Sequence, residues 1–323
     1  MDNFNKLRKW LHLENDNLRM NKDGFRGIYS TKDIKKDDII LKIPREYIIQ
    51  YSKINKNDIP SMSEKLYNSN SLIAMYLLIK SLKETTHWKP YLDTLPEKLD
   101  EYIYYYDQKK LDSLKNTSIQ CKGVYNFNQH MKNIIFDSKI IYKWLIKKNI
   151  LPEKYKSYPD FFKLFLRFRI LVCSRIFGYM RSGKEETGMV PYADLFNHSH
   201  DPNTYWYYDD KMKSFIVLAT KDIKKNTEIY DSYGEKTNIE LMMYYGFTIK
   251  DNEHSKLHFV YKDDLIELDR DSTIESIDRR KDIIMKLKNI LKHHKSVIKS
   301  KKITDNNILN IYTDEINIIK NIV

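Results

Sequence analysis

One run limits the fold of this chain more than any other: Met189-Val190-Pro191-Tyr192-Ala193-Asp194-Leu195-Phe196-Asn197-His198-Ser199-His200-Asp201-Pro202-Asn203. It joins an apolar, strand-like stretch to a tight turn dense in Asn, His, Ser and Asp, side chains that bond to nearby backbone. A turn so loaded with polar groups has to be met by other backbone, and chemistry is expected beside it. About thirty residues on lies Glu228-Ile229-Tyr230-Asp231-Ser232-Tyr233-Gly234, a β-type segment whose alternation turns the Tyr233 hydroxyl toward a cleft.

Composition sets outer bounds. With 323 residues, 41% of them hydrophobic, the chain has enough apolar material for one large domain or two moderate ones, and a disordered reading fails. No apolar run approaches the roughly twenty residues that span a bilayer, and Met1 to Trp10 is polar and charged, unlike a signal peptide. A soluble, intracellular protein is expected. Cys121 and Cys173 are too few for a disulfide framework or a cysteine-based zinc site. The net charge of +12 creates a field that draws acidic partners, but Lys, Ile and Asn abound along the whole chain, which reads as compositional bias rather than a binding surface.

The glycines remove whole enzyme classes. Nucleotide-binding α/β folds need a strand, a glycine-rich turn and a helix, because only glycine lets backbone amides approach a phosphate closely. The chain has eight glycines and no G-x-G-x-x-G, and its Gly183-Lys184 pair runs into Glu185 rather than Ser or Thr. Rossmann enzymes, kinases and P-loop NTPases are excluded.

Residues 1–22 carry an amphipathic pattern in Phe4, Leu7, Trp10 and Leu11 that predicts a packing helix. Residues 24–30 and 39–44 read as strands within a 23–62 β-unit, and the period shifts to helical over about 63–149, in Leu72, Ile73, Met75, Tyr76, Leu78 and Ile79 and again in Ile134, Ile135, Ile141, Trp144 and Leu145. Ser157-Tyr158-Pro159-Asp160 opens an apolar helix expected to run through Phe177, with Asp160 as cap and Gly178 just past its end. Strands are expected at 204–208, 214–219 and 227–230, then a short helix or turn at 239–245. The tail, 251–323, reads as strands at 257–261 and 265–268 and a helix from Arg279 with Ile283, Ile284, Leu287, Ile290, Leu291, Val297 and Ile298 on one face.

Asn197-His198-Ser199 with Pro202-Asn203, followed by Tyr233, resembles the N-H-S-x-x-P-N and tyrosine pattern of the SET-domain protein methyltransferases. Further matches extend the likeness over residues 20–250: the glycine turn at Gly24 to Gly27, the run Trp88-Lys89-Pro90-Tyr91-Leu92-Asp93-Thr94-Leu95-Pro96, Ser174-Arg175-Ile176-Phe177 and Tyr245-Gly246-Phe247. The combination is similar to the branch holding the Rubisco large-subunit lysine methyltransferase and the actin histidine methyltransferase. That resemblance implies an α+β architecture: an irregular β-rich SET fold with a threaded C-terminal loop, split by a helical insert (63–157), with its catalytic part at 158–250 and a short, mostly helical segment after it.

It also implies S-adenosyl-L-methionine as cofactor, held by Phe25, Arg26, Arg175, Asp194, Asn197, His198, Tyr245 and Phe247. Tyr233 becomes the catalytic residue, and Ser174, Ile176 and Ala193 line the substrate channel with it. The implied partner is a protein with a target lysine. Neither membrane nor nucleic acid is expected, and the chain is expected to be a monomer in the cytoplasm, the nucleus or both. His198, His200 and Asp201 lack a third ligand and supporting shell for a metal, so none is expected. The actin-histidine enzymes carry Asn and Trp in the slots held here by Ile176 and Ala193, so lysine is the expected acceptor and histidine the alternative. A third reading is a non-catalytic SET-derived module that binds an acidic partner or nucleic acid through Lys286, Lys288, Lys292, Lys295 and Lys299. Two departures from the relatives stand out: Arg167-Phe168 replaces a common Trp-Ala pair, and the tail is short for a substrate domain.

Overall fold

In the computed structural model, which describes residues 2–13, 17–21, 26–54, 63–121, 127–273 and 281–323, the chain divides into two units. Met1–Glu97 with Ile134–Gly234 form the first, and Lys98–Asn133 with Glu235–Val323 the second. Elements are numbered in chain order.

In the first unit, α1 (Asn3–Trp10) is capped by Asp2, whose side chain accepts from the Asn5 amide, and buries Phe4 and Leu7. Most of the β-structure comes in small antiparallel pieces. β1 (Leu18–Asn21) pairs with β2 (Gly27–Ser30). β3 (Ile39–Pro44), β9 (Ser214–Ala219) and β8 (Thr204–Asp209) make one three-stranded sheet in the order β3-β9-β8. β4 (Ile49–Gln50), β6 (Lys184–Met189) and β5 (Ile176–Arg181) make another, in the order β4-β6-β5. The β5–β6 hairpin turns on Ser182 and Gly183, both at positive φ (50° and 71°), the geometry of a two-residue turn whose twist matches its strands. The Gly-Lys pair is thus a hairpin corner.

The one-turn α2 (Tyr51–Lys53) packs on β6, and the longer helices pack on one another. α3 (Ser69–Ser81) is buried without a break from Ser71 to Leu78, as expected of a helix enclosed on every side. It packs on α7 (Tyr158–Cys173), which presents Phe161, Phe165, Phe168 and Leu171, all essentially buried; each such side chain contributes about 2–3 kcal/mol of transfer energy. A buried polar chain pins the pair to α6 (Phe127–Lys147): Arg169 Nε donates to Ser71 Oγ (3.2 Å), which donates to Asp137 Oδ2 (2.6 Å). The short α4 (Lys89–Leu92) has Pro90 in its first turn, where a missing N–H costs nothing.

The structure corrects the sequence reading of α7. Ser157, not Asp160, is the cap, accepting the Asp160 amide (3.3 Å). The helix stops at Cys173, and Ile176 to Arg181 is strand. A continuous apolar run fits a helix and a buried strand equally well, so periodicity carries no boundary there. Gly178 lies inside β5 with nothing within 4 Å of a hypothetical Cβ, and caps no helix. The expected strand at 227–230 is also displaced: Glu228 makes only an isolated bridge with Tyr29, and the regular strand is β10 (Tyr230–Asp231).

The second unit contains α5 (Gln108–Asp112), capped by Asp107, and α8 (Asn238–Tyr245), opened by a reciprocal Thr237–Glu240 capping box. Gly246 ends α8 at φ 79°, where an added Cβ would also meet the Tyr102 ring at 3.0 Å. The hairpin of β11 (Leu257–Tyr261) and β12 (Asp264–Leu268) packs on α9 (Lys281–Lys299) and α10 (Asn306–Ile322) through Leu257, Phe259, Leu268, Ile283, Leu287, Ile318, Ile319 and Ile322. The sequence pattern reaches α9 but leaves α10 unread, although α10 carries much of this core. Between the two helices His294 Nε2 meets Glu315 Oε2 at 2.6 Å, both fully buried, while Glu315 Oε1 accepts the Ser118 amide (2.8 Å). Among the described residues, no helix is long and apolar enough to cross a membrane.

Candidate active site

The polar turn recognised in the sequence is a bracket around the later β-segment. β7 (Asn197–His198) runs parallel to β10, with Tyr230 opposite Asn197 and Asp231 opposite His198. Parallel neighbours require a crossover, and here the β8–β9 hairpin supplies it. Side chains of the turn then close on the segment. Asn203 grips it twice, donating from Nδ2 to the Glu228 carbonyl and accepting the Tyr230 amide at Oδ1, both at 2.8 Å. Thr204 Oγ1 donates to the Tyr230 carbonyl (2.8 Å), and the Ser199 amide to that of Asp231 (2.9 Å). Asn197 Nδ2 donates to the Arg26 carbonyl (2.8 Å) and to Glu228 Oε1 (2.7 Å). The spacing of Asn197 and Asn203 is thereby explained by the backbone they hold.

This bracket fixes Tyr233. Its amide donates to His198 Nδ1 (3.0 Å), which leaves the proton of a neutral imidazole on Nε2. The two rings stack at 5.1 Å and 25°. The Tyr233 hydroxyl donates to the Phe196 carbonyl (2.8 Å), so its oxygen lone pairs point away from that bond. Phenol, imidazole and turn form one rigid piece.

Glu228 is a hub that sequence reading passed over. Its Oε2 accepts from the hydroxyls of Tyr29 (2.9 Å) and Tyr230 (2.8 Å), and its Oε1 from Asn197. Burial and the bond to Glu228 push Tyr230 up to about 12, and the same carboxylate raises Tyr29. Gly27 makes the convergence possible, since a Cβ there would overlap the Glu228 carboxylate and lie 3.2 Å from Asn197 Nδ2. In the sequence, a glycine opening the strand that carries Tyr29 was the available clue. Asp231, nearly buried, is pushed up to about 6 by desolvation, against the pull of the Ser232 amide and the Trp206 side chain.

A second cluster surrounds Asp194, whose side chain is fully buried. It follows Tyr192 and Ala193, and buried Tyr192 sits at φ 80°, ψ −52°, a γ-turn conformation costing about 1–3 kcal/mol for a non-glycine residue. Arg175 Nη1 donates to the Asp194 carbonyl (2.6 Å) and lies 3.5 Å from Asp194 Oδ2. Tyr91 donates its hydroxyl to the same Oδ2 (2.7 Å). Arg26 Nη1 donates to the Thr94 carbonyl (2.7 Å), whereas its buried Nη2 has no hydrogen-bond partner among the described residues. Burial and then the nearby Arg175 pull Arg26 down to about 10, which leaves it charged at neutral pH. Burial pushes Asp194 up, opposed by both arginines and Tyr91; burial and the Asp194 charge hold Tyr91 well above its usual range, so the proton stays on the phenol. Two guanidinium groups thus face one carboxylate. The surplus positive charge suits a ligand that carries a carboxylate of its own.

The remaining expected residues are placed as follows. Ser174 caps α7 and bonds back to the Leu171 carbonyl (3.2 Å), Ile176 opens β5 opposite Met189, and Ala193 is 2% exposed. Tyr245 and Phe247 belong to the second unit, where their rings lie 6.3 Å apart on either side of Gly246. Phe25 lies outside the described residues, as does Gly24. Asp201 is taken up by Lys221 (2.6 Å).

Comparison with known proteins agrees with this geometry. The SET domain profile matches residues 25–234, and the chain belongs to the SET domain family. Among curated relatives, the chloroplastic ribulose-1,5-bisphosphate carboxylase/oxygenase large subunit N-methyltransferase of Pisum sativum is 28% identical over 240 residues, 71% of this chain and 46% of that protein. The actin-histidine N-methyltransferase of Danio rerio is 22% identical over 271 residues, 79% of this chain and 44% of that protein. The chain spans somewhat less than half the length of these relatives. A crystal structure of the SET domain of LSMT bound to lysine and AdoHcy superposes with a TM-score of 0.69 at 16% identity, over 98% of this chain and 89% of that one. A second, with methyl-lysine and AdoHcy, gives 0.70 at 17%, over 99% and 90%. At such identities the likeness speaks to the fold.

Proposed function

We propose that this chain is an S-adenosylmethionine-dependent protein methyltransferase. The observation that carries the reading is the rigid piece of Asn197, His198 and Tyr233: a phenol locked by its own backbone amide, its ring and its hydroxyl beside a polar turn. A methyl donor that is already a sulfonium asks little of the protein beyond alignment and exclusion of water. A phenol whose proton is committed to a carbonyl offers its lone pairs to a donor N–H or a polarised methyl, which suits that task.

The residues present fit the cofactor. S-adenosylmethionine brings a carboxylate at its amino-acid end, and the guanidinium groups of Arg26 and Arg175 share one buried Asp194, with no hydrogen-bond partner for Arg26 Nη2 among the described residues, so the pair is one negative charge short. When bound, the cofactor supplies the electrophilic methyl. Arg26 and Arg175 would hold its carboxylate, and the Asn197-His198 backbone would flank it. Tyr233 would orient the acceptor.

We take the acceptor to be a lysine amine on a protein. Ile176 and Ala193 give apolar walls at the slots that flank Arg175 and Asp194, and an apolar channel favours loss of the proton from an amine whose free pKa is about 10.4. No separate general base is then required. The test is transfer of tritium from labelled S-adenosylmethionine to proteins of the native host, followed by mass spectrometry of the labelled peptides. Label on lysine is expected; label on histidine overturns the choice of acceptor, and no label on any protein overturns the activity.

A further inference from the structure

Tyr91 lies about a hundred residues before the Asn197-His198 turn, yet it is fully buried and spends its hydroxyl on Asp194 Oδ2 at 2.7 Å. The same oxygen lies 3.5 Å from Arg175 Nη1, which donates in turn to the Asp194 carbonyl at 2.6 Å. Three residues further along, the Thr94 carbonyl accepts Arg26 Nη1 (2.7 Å), and Thr94 Oγ1 donates back to the Tyr91 carbonyl (2.7 Å). One short turn of chain therefore holds both guanidinium groups, one through an acid and one directly.

We propose that the Tyr91–Thr94 turn is a clamp, with Tyr91 as a positioning residue that sets Arg175, through Asp194, for the carboxylate end of the cofactor. This rests on the reading that the chain binds S-adenosylmethionine. The physical argument is one of acceptor capacity. A buried carboxylate with one donor at Oδ2 beyond Arg175 keeps a defined orientation, and the guanidinium opposite inherits it. Without the Tyr91 hydroxyl, Oδ2 keeps, among the described residues, only its approach to Arg175. The carboxylate then draws the guanidinium inward, and less of the guanidinium is left for a ligand. Tyr91 touches neither cofactor nor substrate in this scheme, so its effect falls on affinity for ligands that have an amino-acid portion and spares those that lack one.

The test compares S-adenosylhomocysteine with 5′-methylthioadenosine, which keeps the adenosine and sulfur and lacks the amino-acid portion. Both are measured by displacement of labelled S-adenosylmethionine from wild type, Tyr91→Phe and Asp194→Asn, with thermal melts of each protein to establish that it folds. Removal of a hydrogen bond to a charged group lowers affinity roughly tenfold or more. In Tyr91→Phe the preference for S-adenosylhomocysteine over 5′-methylthioadenosine should drop by roughly that factor, and Asp194→Asn should drop it at least as far. An unchanged preference in a folded Tyr91→Phe protein overturns the clamp, as does an equal loss for both ligands, which marks a merely structural residue. Wild type that binds no S-adenosylmethionine removes the underlying reading and the clamp with it. If Tyr91→Phe does not fold, Thr94→Val, which breaks only the internal bond of the turn, carries the same comparison with the same two outcomes.

Discussion

Replacing Asp231 by Asn should stabilise the protein at neutral pH and do nothing of the kind in acid. Asp231 is 4% exposed, lies in β10 beside His198, and is pushed from an ordinary 3.8 up to about 6 by burial. Its folded form therefore binds the proton more tightly than the unfolded chain does. The sign is opposite to that of a salt-bridged carboxylate: stability from this group is complete below about pH 3.8 and is lost as pH rises through about 6. A shift of this size amounts to about 3 kcal/mol lost at pH 7 and about 1 kcal/mol lost at pH 4.5. Asn carries no charge at either pH, and its carbonyl can still accept the Ser232 amide, which Asp231 Oδ1 does now at 2.7 Å. Its lost acceptor toward Trp206 is a pH-independent penalty and cancels when the two pH values are compared. Urea unfolding of wild type and Asp231→Asn at pH 7 and pH 4.5 should thus give a stability difference that is about 2 kcal/mol more favourable to the variant at pH 7. A difference independent of pH, or one that favours the variant more in acid, would refute the argument.

Gly27→Ala should cost about 1–3 kcal/mol, since the new methyl must displace the Glu228 carboxylate from its three donors; a melting temperature equal to that of wild type contradicts this. In the second unit, His294→Ala leaves Glu315 buried with the Ser118 amide but no imidazole, and a loss of about 3 kcal/mol or more is expected in urea unfolding. A loss below about 1 kcal/mol would mean that the pair contributes little beyond its packing.

The part of the site that could be read from sequence is the part made by neighbours in sequence. Asn197, His198 and Asn203 lie within one stretch whose polar density announces a turn that binds backbone, Tyr233 follows about thirty residues on, and the structure closes that turn on the segment leading to Tyr233. Tyr91 and Glu228 escaped because their roles depend on distant chain: Tyr91 meets Asp194 across 103 positions, and Glu228 meets Tyr29 across 199. Both stand in runs that the sequence marks, Trp88–Pro96 and Glu228–Gly234, but nothing local to either residue says which distant side chain it meets. The run from Leu164 to Phe177 failed for another reason. Its apolar residues fall on every face, with only Arg167, Arg169, Ser174 and Arg175 between them, so neither the helical nor the strand period is written in it, and the switch after Cys173 is imposed by pairing of Ile176–Arg181 with β6. α10 was missed although its Asp305 cap, accepting the Asn307 and Ile308 amides, is a legible start signal.

The central claim is that Tyr233 is held where a methyl group is transferred. Tyr233→Phe keeps the ring, its stack on His198 and the amide bond to His198 Nδ1, and removes only the hydroxyl that donates to Phe196. The measurement is the rate of methyl transfer to the host protein labelled by wild type, at saturating S-adenosylmethionine, with cofactor affinity determined alongside. The account predicts a rate lower by about 100-fold or more at nearly unchanged cofactor affinity. Equal rates for the two proteins would contradict it.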